Sequence, residues 1–381
     1  MKSNSKITIL GLPFFAEKYK YLVDSYESLS MDVEVLINSN LAHTKWDDEY
    51  EIHYAGGNIL LRMYKFVSRM LMNKPNYVDV YDYSLLTLFY LIIARLFKIK
   101  SRLWLIGGEL KNDSSSLNSS SVVREFILKL KGRLTVLSLF ACDRILVKEK
   151  HHIESISSIR SSLLEKTVFL HNCVPVEPYV ELNKESINLK GDFLYANAVV
   201  DARRVDSMVL AIKDLVSDEM DFSCSIYGFN SISNDVYAPR GQGYSQDILN
   251  LIEELELQDC IETFGFVDNI KEVYGDFKFF VFPSDIVFAN YALLESMSVG
   301  VVPIVYPGEG YDEIVVDGIN GIVAFDYDLT KAFVRALQLS EENYMNLSNN
   351  AKMTIIDKYS LEKWRLKLAS SLNDECTSDL L

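Results

Sequence analysis

Short runs rich in β-branched and aromatic residues recur along the chain at 6–10, 33–37, 78–81, 103–106, 144–147, 192–195, 222–227, 261–264, 279–282 and 301–306. Runs of this length and composition fit strands covered on both faces, as parallel strands are. Between them, apolar residues return every third or fourth position, the period of an amphipathic helix. The clearest case lies between Asn58, a residue type that caps helices, and Pro75, a type that ends them. There Ile59, Leu60, Met63, Phe66, Val67, Met70 and Leu71 keep helical spacing, while Arg62, Lys65 and Arg69 line the other face. Strand and helix alternate, so the chain reads as repeated βα units of an α/β fold.

The pattern lapses near 176–190, where Pro175, Pro178 and polar residues mark a domain boundary. Residues 112–121, NDSSSLNSSS, are polar and of low complexity. Residues 229–244, which carry Arg240, form a longer connection than a compact αβ unit needs. The helix predicted over 85–98 is very apolar, but only about ten residues pass before Arg95, against the roughly 20 that span a bilayer. It is expected to be a core helix.

At 381 residues and 49% hydrophobic content, the chain has material for two packed cores. Its net charge of −15 is uneven, with residues 1–180 at +4 and residues 181–381 at −19. An acidic total excludes bulk nucleic-acid binding, which needs basic surface to displace counterions. For Arg62, Lys65 and Arg69 two readings stay open: a solvated face, or contact with anionic lipid headgroups. The five cysteines are widely spaced with no CxxC, so no disulfide framework or zinc site is expected and a reducing cytoplasm fits. The first residues contain too short an apolar segment for a signal peptide.

Candidate chemistry concentrates in 279–325. An apolar run ends at Pro283-Ser284, a helix is predicted over 291–299 and ended by Gly300, and a second apolar run follows. Ligands of parallel sheets sit at such strand ends. Glu295 lies in the first turns of the helix, where it could hold ribose hydroxyls or serve as a helix-dipole carboxylate.

The ordered set Pro283, Ser284, Leu293-Leu294-Glu295-Ser296-Met297, Gly300, Pro303, Glu313 and Asp317-Gly318-Ile319-Asn320-Gly321 resembles the C-terminal signature of family 4 (group 1) retaining glycosyltransferases of the GT-B fold. The resemblance implies two doubly wound Rossmann-like domains facing across a cleft. Residues 1–180 would bind acceptor, with helix 361–381 packing back on them, and residues 186–360 would bind a nucleotide sugar. It implies transfer from a nucleoside diphosphate sugar, with retention and without metal or cofactor, to a glycan or lipid-linked acceptor in cell-surface polysaccharide synthesis. A cytoplasmic protein at the inner membrane face, touching the membrane through its N-terminal domain, is expected.

The same resemblance assigns roles. Glu295 falls on the second of two signature glutamates, the ribose ligand, while Val287 occupies the position of the first. Asp285 and Asn290, in the same loop, are the candidates to replace it. Arg203 falls on the second of two basic diphosphate ligands, with Arg204 beside it and Ala198 on the first. Gly228, Phe266, Val267, Tyr291 and Leu294 complete the donor side, and Gly11, Gly107, Gly108 and Glu109 form the acceptor side. Two other readings stay open: a non-catalytic subunit that binds glycan or steadies a partner transferase, and a sugar-nucleotide epimerase.

Overall fold

The computed structural model describes residues 5–12, 17–38, 49–81, 84–107, 110, 122–176, 190–229, 242–267 and 269–372. The chain divides into two compact units, Met1–His171 with Arg365–Leu381, and Asn172–Trp364.

Unit 1 runs β1 (Ser5–Leu12), α1 (Glu17–Ser28), β2 (Met31–Ile37), β3 (Ile52–Tyr54), α2 (Ile59–Asn73), β4 (Tyr77–Val80), α3 (Thr87–Leu96), β5 (Lys100–Leu105), α4 (Val122–Ala141), β6 (Arg144–Val147), α5 (Lys150–Ile159) and β7 (Thr167–Phe169). Its strands pair in parallel in the order β3-β2-β1-β4-β5-β6-β7. Right-handed crossovers over that order place α1 on one face and α2 to α5 on the other. Phe66, Met70, Tyr90, Leu91, Leu139 and Ile156, from all four of those helices, accordingly share one core cluster. Asn58 caps α2, its side chain accepting from the Leu60 N–H at 2.8 Å. Two elements lie outside the periodic pattern: β3 is three residues long, and α5, KHHIESISSI, has few apolar residues to set a period.

The cations of α2 turn back onto the protein, which corrects both readings of that face. Arg62 donates to the carbonyls of Gly56 and Asn38, Lys65 donates to that of Tyr54, and Arg69 meets Glu34 at 2.8 Å. Long basic side chains beside an edge strand find unpaired carbonyls there.

The other face is fixed by a buried ion pair. Arg102 on β5 donates to Asp79 on β4 at 2.7 Å, and both are sealed from solvent. Tyr26 of α1 and the Trp104 indole also donate to Asp79, and Arg102 reaches the Ser371 hydroxyl at 3.3 Å. Ser371 belongs to the final helix, Leu361–Leu372, which passes from unit 2 into unit 1.

Unit 2 runs β8 (Gly191–Ala196), α6 (Val205–Ser217), β9 (Cys224–Tyr227), α7 (Gln242–Glu254), β10 (Ile261–Phe264), α8 (Lys271–Tyr274), β11 (Phe277–Phe282), α9 (Tyr291–Ser298), β12 (Val302–Val305), β13 (Ile322–Val323), α10 (Leu329–Leu337), α11 (Glu341–Thr354) and α12, the shared final helix. The sheet order is β10-β9-β8-β11-β12-β13, again parallel. Phe193, Tyr195, Phe279 and Val281 enter one core, and Leu194, Ala196, Phe280 and Phe282 the other. That alternation is why these strands read as unbroken apolar runs.

Removing one member of the buried pair leaves an uncompensated charge, so Arg102→Met is expected to cost about 3–5 kcal/mol in denaturant unfolding of the whole chain. Asp79→Leu/Arg102→Met should cost less than Arg102→Met alone. An equal or larger cost for the double variant would show that the pair is not what the packing depends on.

Candidate functional site at the strand ends of unit 2

The strand order of unit 2 reverses between β8 and β11: β8 continues to β9 on one side, while β11 lies on its other. The loops leaving the two strands therefore diverge and open a crevice at their carboxyl ends, the usual ligand position in doubly wound sheets. Here those loops are 197–204 and 283–290.

Three side chains of the first loop reach the second. Arg203 donates to the Ser284 hydroxyl at 2.9 Å and the Ile286 carbonyl at 3.1 Å, with its guanidinium 4.9 Å over the Phe282 ring. Arg204 lies 3.4 Å from Asp285, and the Asn197 amide donates to the Asn290 side chain at 3.2 Å. Burial lowers the Arg203 pKa, with Tyr195 opposing; a guanidinium stays charged at neutral pH. The two arginines thus differ. Arg203 is a loop-holding cation, while Arg204 and Asp285 are both exposed at the crevice.

A third loop closes on the second. Glu309 donates its N–H to Asp285 and accepts from those of Val287 and Phe288. Gly308 permits this approach, since a Cβ there would lie 2.4 Å from the Ser284 carbonyl oxygen. Val287 is 1 % exposed and packs in the unit's core, so its side chain faces away from the crevice. The exposed Glu309 is a site feature that motif reading did not select, while Ser284, read there only as part of the signature, holds Arg203.

Helix α9 starts at Asn290, whose Oδ1 accepts from the Ala292 N–H at 3.0 Å. Asn290 is therefore a helix cap, with the side-chain oxygen committed and the amide nitrogen as its remaining polar atom. Glu295, one turn on, is buried at the edge of the core. Tyr274 of α8 donates to it at 3.4 Å, and the Lys271 ammonium lies 4.0 Å away. These two orienting residues come from a four-residue helix without a sequence signature.

Tyr291 is half-buried beside this cluster, and Phe266 and Val267 are exposed where β10 ends. Two assignments change. Leu294 is fully buried and gives its N–H to the Asn290 carbonyl, so it supports α9 and has no surface for a donor. Gly228 directs its N–H to Phe264 and Gly265 and has φ +107°, with the Asn197 oxygen 1.9 Å from where a Cβ would sit. It is a close-approach residue that brings β9 against the 197–204 loop.

Residues 182–354 match the family model of glycosyl transferases group 1. The chain carries a group 1 glycosyltransferase domain. No curated protein sequence matches the chain. Solved structures similar to it include HepE from Anabaena in complex with UDP, at TM-score 0.73 and 11% identity, with 97% of this chain and 99% of that one covered. Sucrose-phosphate synthase from Thermosynechococcus elongatus aligns at TM-score 0.71 and 12% identity, covering 96% and 98%. The pneumococcal O-GlcNAc transferase GtfA in complex with UDP and GlcNAc aligns at 0.70 and 10%, covering 98% and 100%. The architecture is the two-domain α/β GT-B fold.

Outside the group 1 domain, unit 1 places Gly11 and Gly107 at strand ends, Gly11 with φ +90° at a register shift in β1. The Gly107 carbonyl accepts from both His151 and His152, at 3.1 and 2.6 Å. That pair was legible as adjacent histidines in a chain with only five. Gly108, Glu109 and Arg240 lie outside the described residues. Among the described residues one trio, Glu34, Glu51 and His53, has ligand spacing for a metal. Arg69 already neutralises Glu34, whose other oxygen accepts from Thr8 at 3.1 Å, so the trio is an ion-pair cluster.

Because the contact at Gly228 is with main chain, no rotamer change relieves it. Gly228→Ala should lower stability by about 1–3 kcal/mol, read as a fall in Tm. An unchanged Tm would mean that the 197–204 loop moves freely.

Proposed function

We infer that the protein transfers a sugar from a nucleoside diphosphate sugar, with retained anomeric configuration, to a glycan or lipid-linked acceptor in cell-surface polysaccharide synthesis. The observation that carries this reading is Glu295, held by Tyr274 and Lys271 on the helix that follows the 283–290 loop. A carboxylate with apolar neighbours on the helix after a strand-end loop is suited to paired ribose hydroxyls. The complexes of similar folds support the donor class: UDP and UDP-glucose with HepE, UDP and GlcNAc with GtfA.

Arg204 would neutralise the leaving diphosphate, with Arg203 holding the loop that presents Asp285. Catalysis is then electrostatic and needs neither protein nucleophile nor metal. Asp285, the amide of Asn290 and the nearby Glu309 surround the crevice on the side where Val287 supplies no charge. The protein would work at the inner membrane face, where a lipid-linked acceptor resides.

The buried Val287 favours one rival, a non-catalytic subunit. Incubation with a panel of nucleoside diphosphate sugars and membrane extract, with products read by mass spectrometry, separates the two. Sugar transfer is expected; donor binding without any product would assign the protein to the rival reading.

Two substitutions test the roles. Glu295→Gln should weaken donor binding by about 1.5–3 kcal/mol in calorimetry, through loss of a charge-assisted hydrogen bond. Unchanged affinity in a folded variant would remove Glu295 from the donor site. Asp285→Asn should cut turnover more than about tenfold, or 1.4 kcal/mol in the barrier, with donor affinity less affected. Full activity would place the compensating charge elsewhere, with Glu309 the next candidate.

A further inference from the structure

The outer surface of the α2–α3–α4 layer is apolar where a solvated helix layer would be polar. Leu60 is 73 % exposed, Tyr64 70 %, Met72 67 % and Leu96 71 %, and Leu137 and Phe140 of α4 are exposed beside them. The three helices are neighbours, α2 packing on α3 and α3 on α4, and their inner faces share one core. Single exposed apolar side chains are ordinary, but a set spread over three adjacent helices marks an interaction surface.

Charge identifies the occupant. Residues 59–73, 84–98 and 130–141 contain no aspartate or glutamate, in a chain of net charge −15. Lys74, Arg95, Lys98 and Arg133 are exposed on the same elements or at their ends. An anionic bilayer offers both complements, negative headgroups and an apolar interior, within the depth of one side chain. No described helix is long and apolar enough to cross a membrane, so this layer can lie only on the surface.

We propose that the outer face of α2, α3 and α4 docks the protein on an anionic lipid bilayer. Leu60, Tyr64, Met72 and Leu96 enter the interface, and Lys74, Arg95, Lys98 and Arg133 meet the headgroups. This face differs from the one that carries Arg62, Lys65 and Arg69. The proposal deepens the reading above, resting on it for the lipid-linked acceptor alone, because docking requires neither donor nor turnover.

The test is flotation of the full chain with vesicles of phosphatidylcholine, and of phosphatidylcholine with one-third phosphatidylglycerol, in low and high salt and without nucleotide. Wild type should float with the anionic vesicles and retain part of that binding in high salt. Leu60→Ser/Tyr64→Ser/Leu96→Ser should lower partitioning at least tenfold with an unchanged circular dichroism spectrum, and Lys74→Glu/Lys98→Glu should abolish the preference for anionic lipid. No flotation of wild type, equal flotation with neutral vesicles, or full binding by the apolar variant overturns the proposal. So does a wild-type dimer in light scattering that the apolar variant converts to monomer, since a second copy would then cover the face. Each result is read without substrate, so sugar transfer can fail with docking intact, and the reverse.

Discussion

The reversal of strand order between β8 and β11 is the constraint on which the candidate site depends. Two loops far apart in sequence leave adjacent parallel strands in opposite directions, and the crevice between them has no main chain of its own to fill it. Arg203, Arg204 and Asn197 enter from one side, and Ser284, Asp285 and Asn290 from the other. Each bond crosses about 80 or more residues of sequence, so no local pattern could have paired them. The sheet supplies the distance; side-chain chemistry then selects which groups meet.

Burial divides the two arginines, and it divides the signature helix in the same way. Leu294 and Glu295 are neighbours in sequence, yet one lies wholly in the core and the other at its edge. A helix advances 100° per residue, so adjacent positions cannot share a fate when one face is packed. Val287 follows the same logic: its side chain completes a core, while Asp285 in the same loop and Glu309 in the loop closing on it stay exposed. Gly228 and Gly308 hold the three loops at contact distances that a Cβ would prevent.

Unit 1 solves a different problem. Its sheet is clamped on one face by a buried Arg102–Asp79 pair whose hydrogen bonds reach α1 and the final helix. A charge pair without solvent is stable only when its remaining donors and acceptors are matched, and here Tyr26, Trp104 and Ser371 match them. The opposite face is packed mainly by apolar side chains, and α2, α3 and α4 keep apolar residues on the outside as well. The two faces of one sheet therefore carry opposite solutions, one sealed and one left to a further partner.

The alternation of apolar runs with helical periods determined the α/β class and the position of most strands, because a strand covered on both faces must be apolar at consecutive positions. Asn58 as a helix cap and Glu295 on the signature helix were equally legible, since both follow from local spacing. β3, α5 and β13 were not, being too short or too polar to set a period. The direction of each side chain was decided only by tertiary structure. Arg62, Lys65 and Arg69 share a helical face in the sequence, but nearby carbonyls and Glu34 draw all three inward. Tyr274 and Lys271 reach Glu295 only because α8 packs beside α9. Sequence records which groups a segment owns; which of them meet depends on contacts that form only when distant segments share a core.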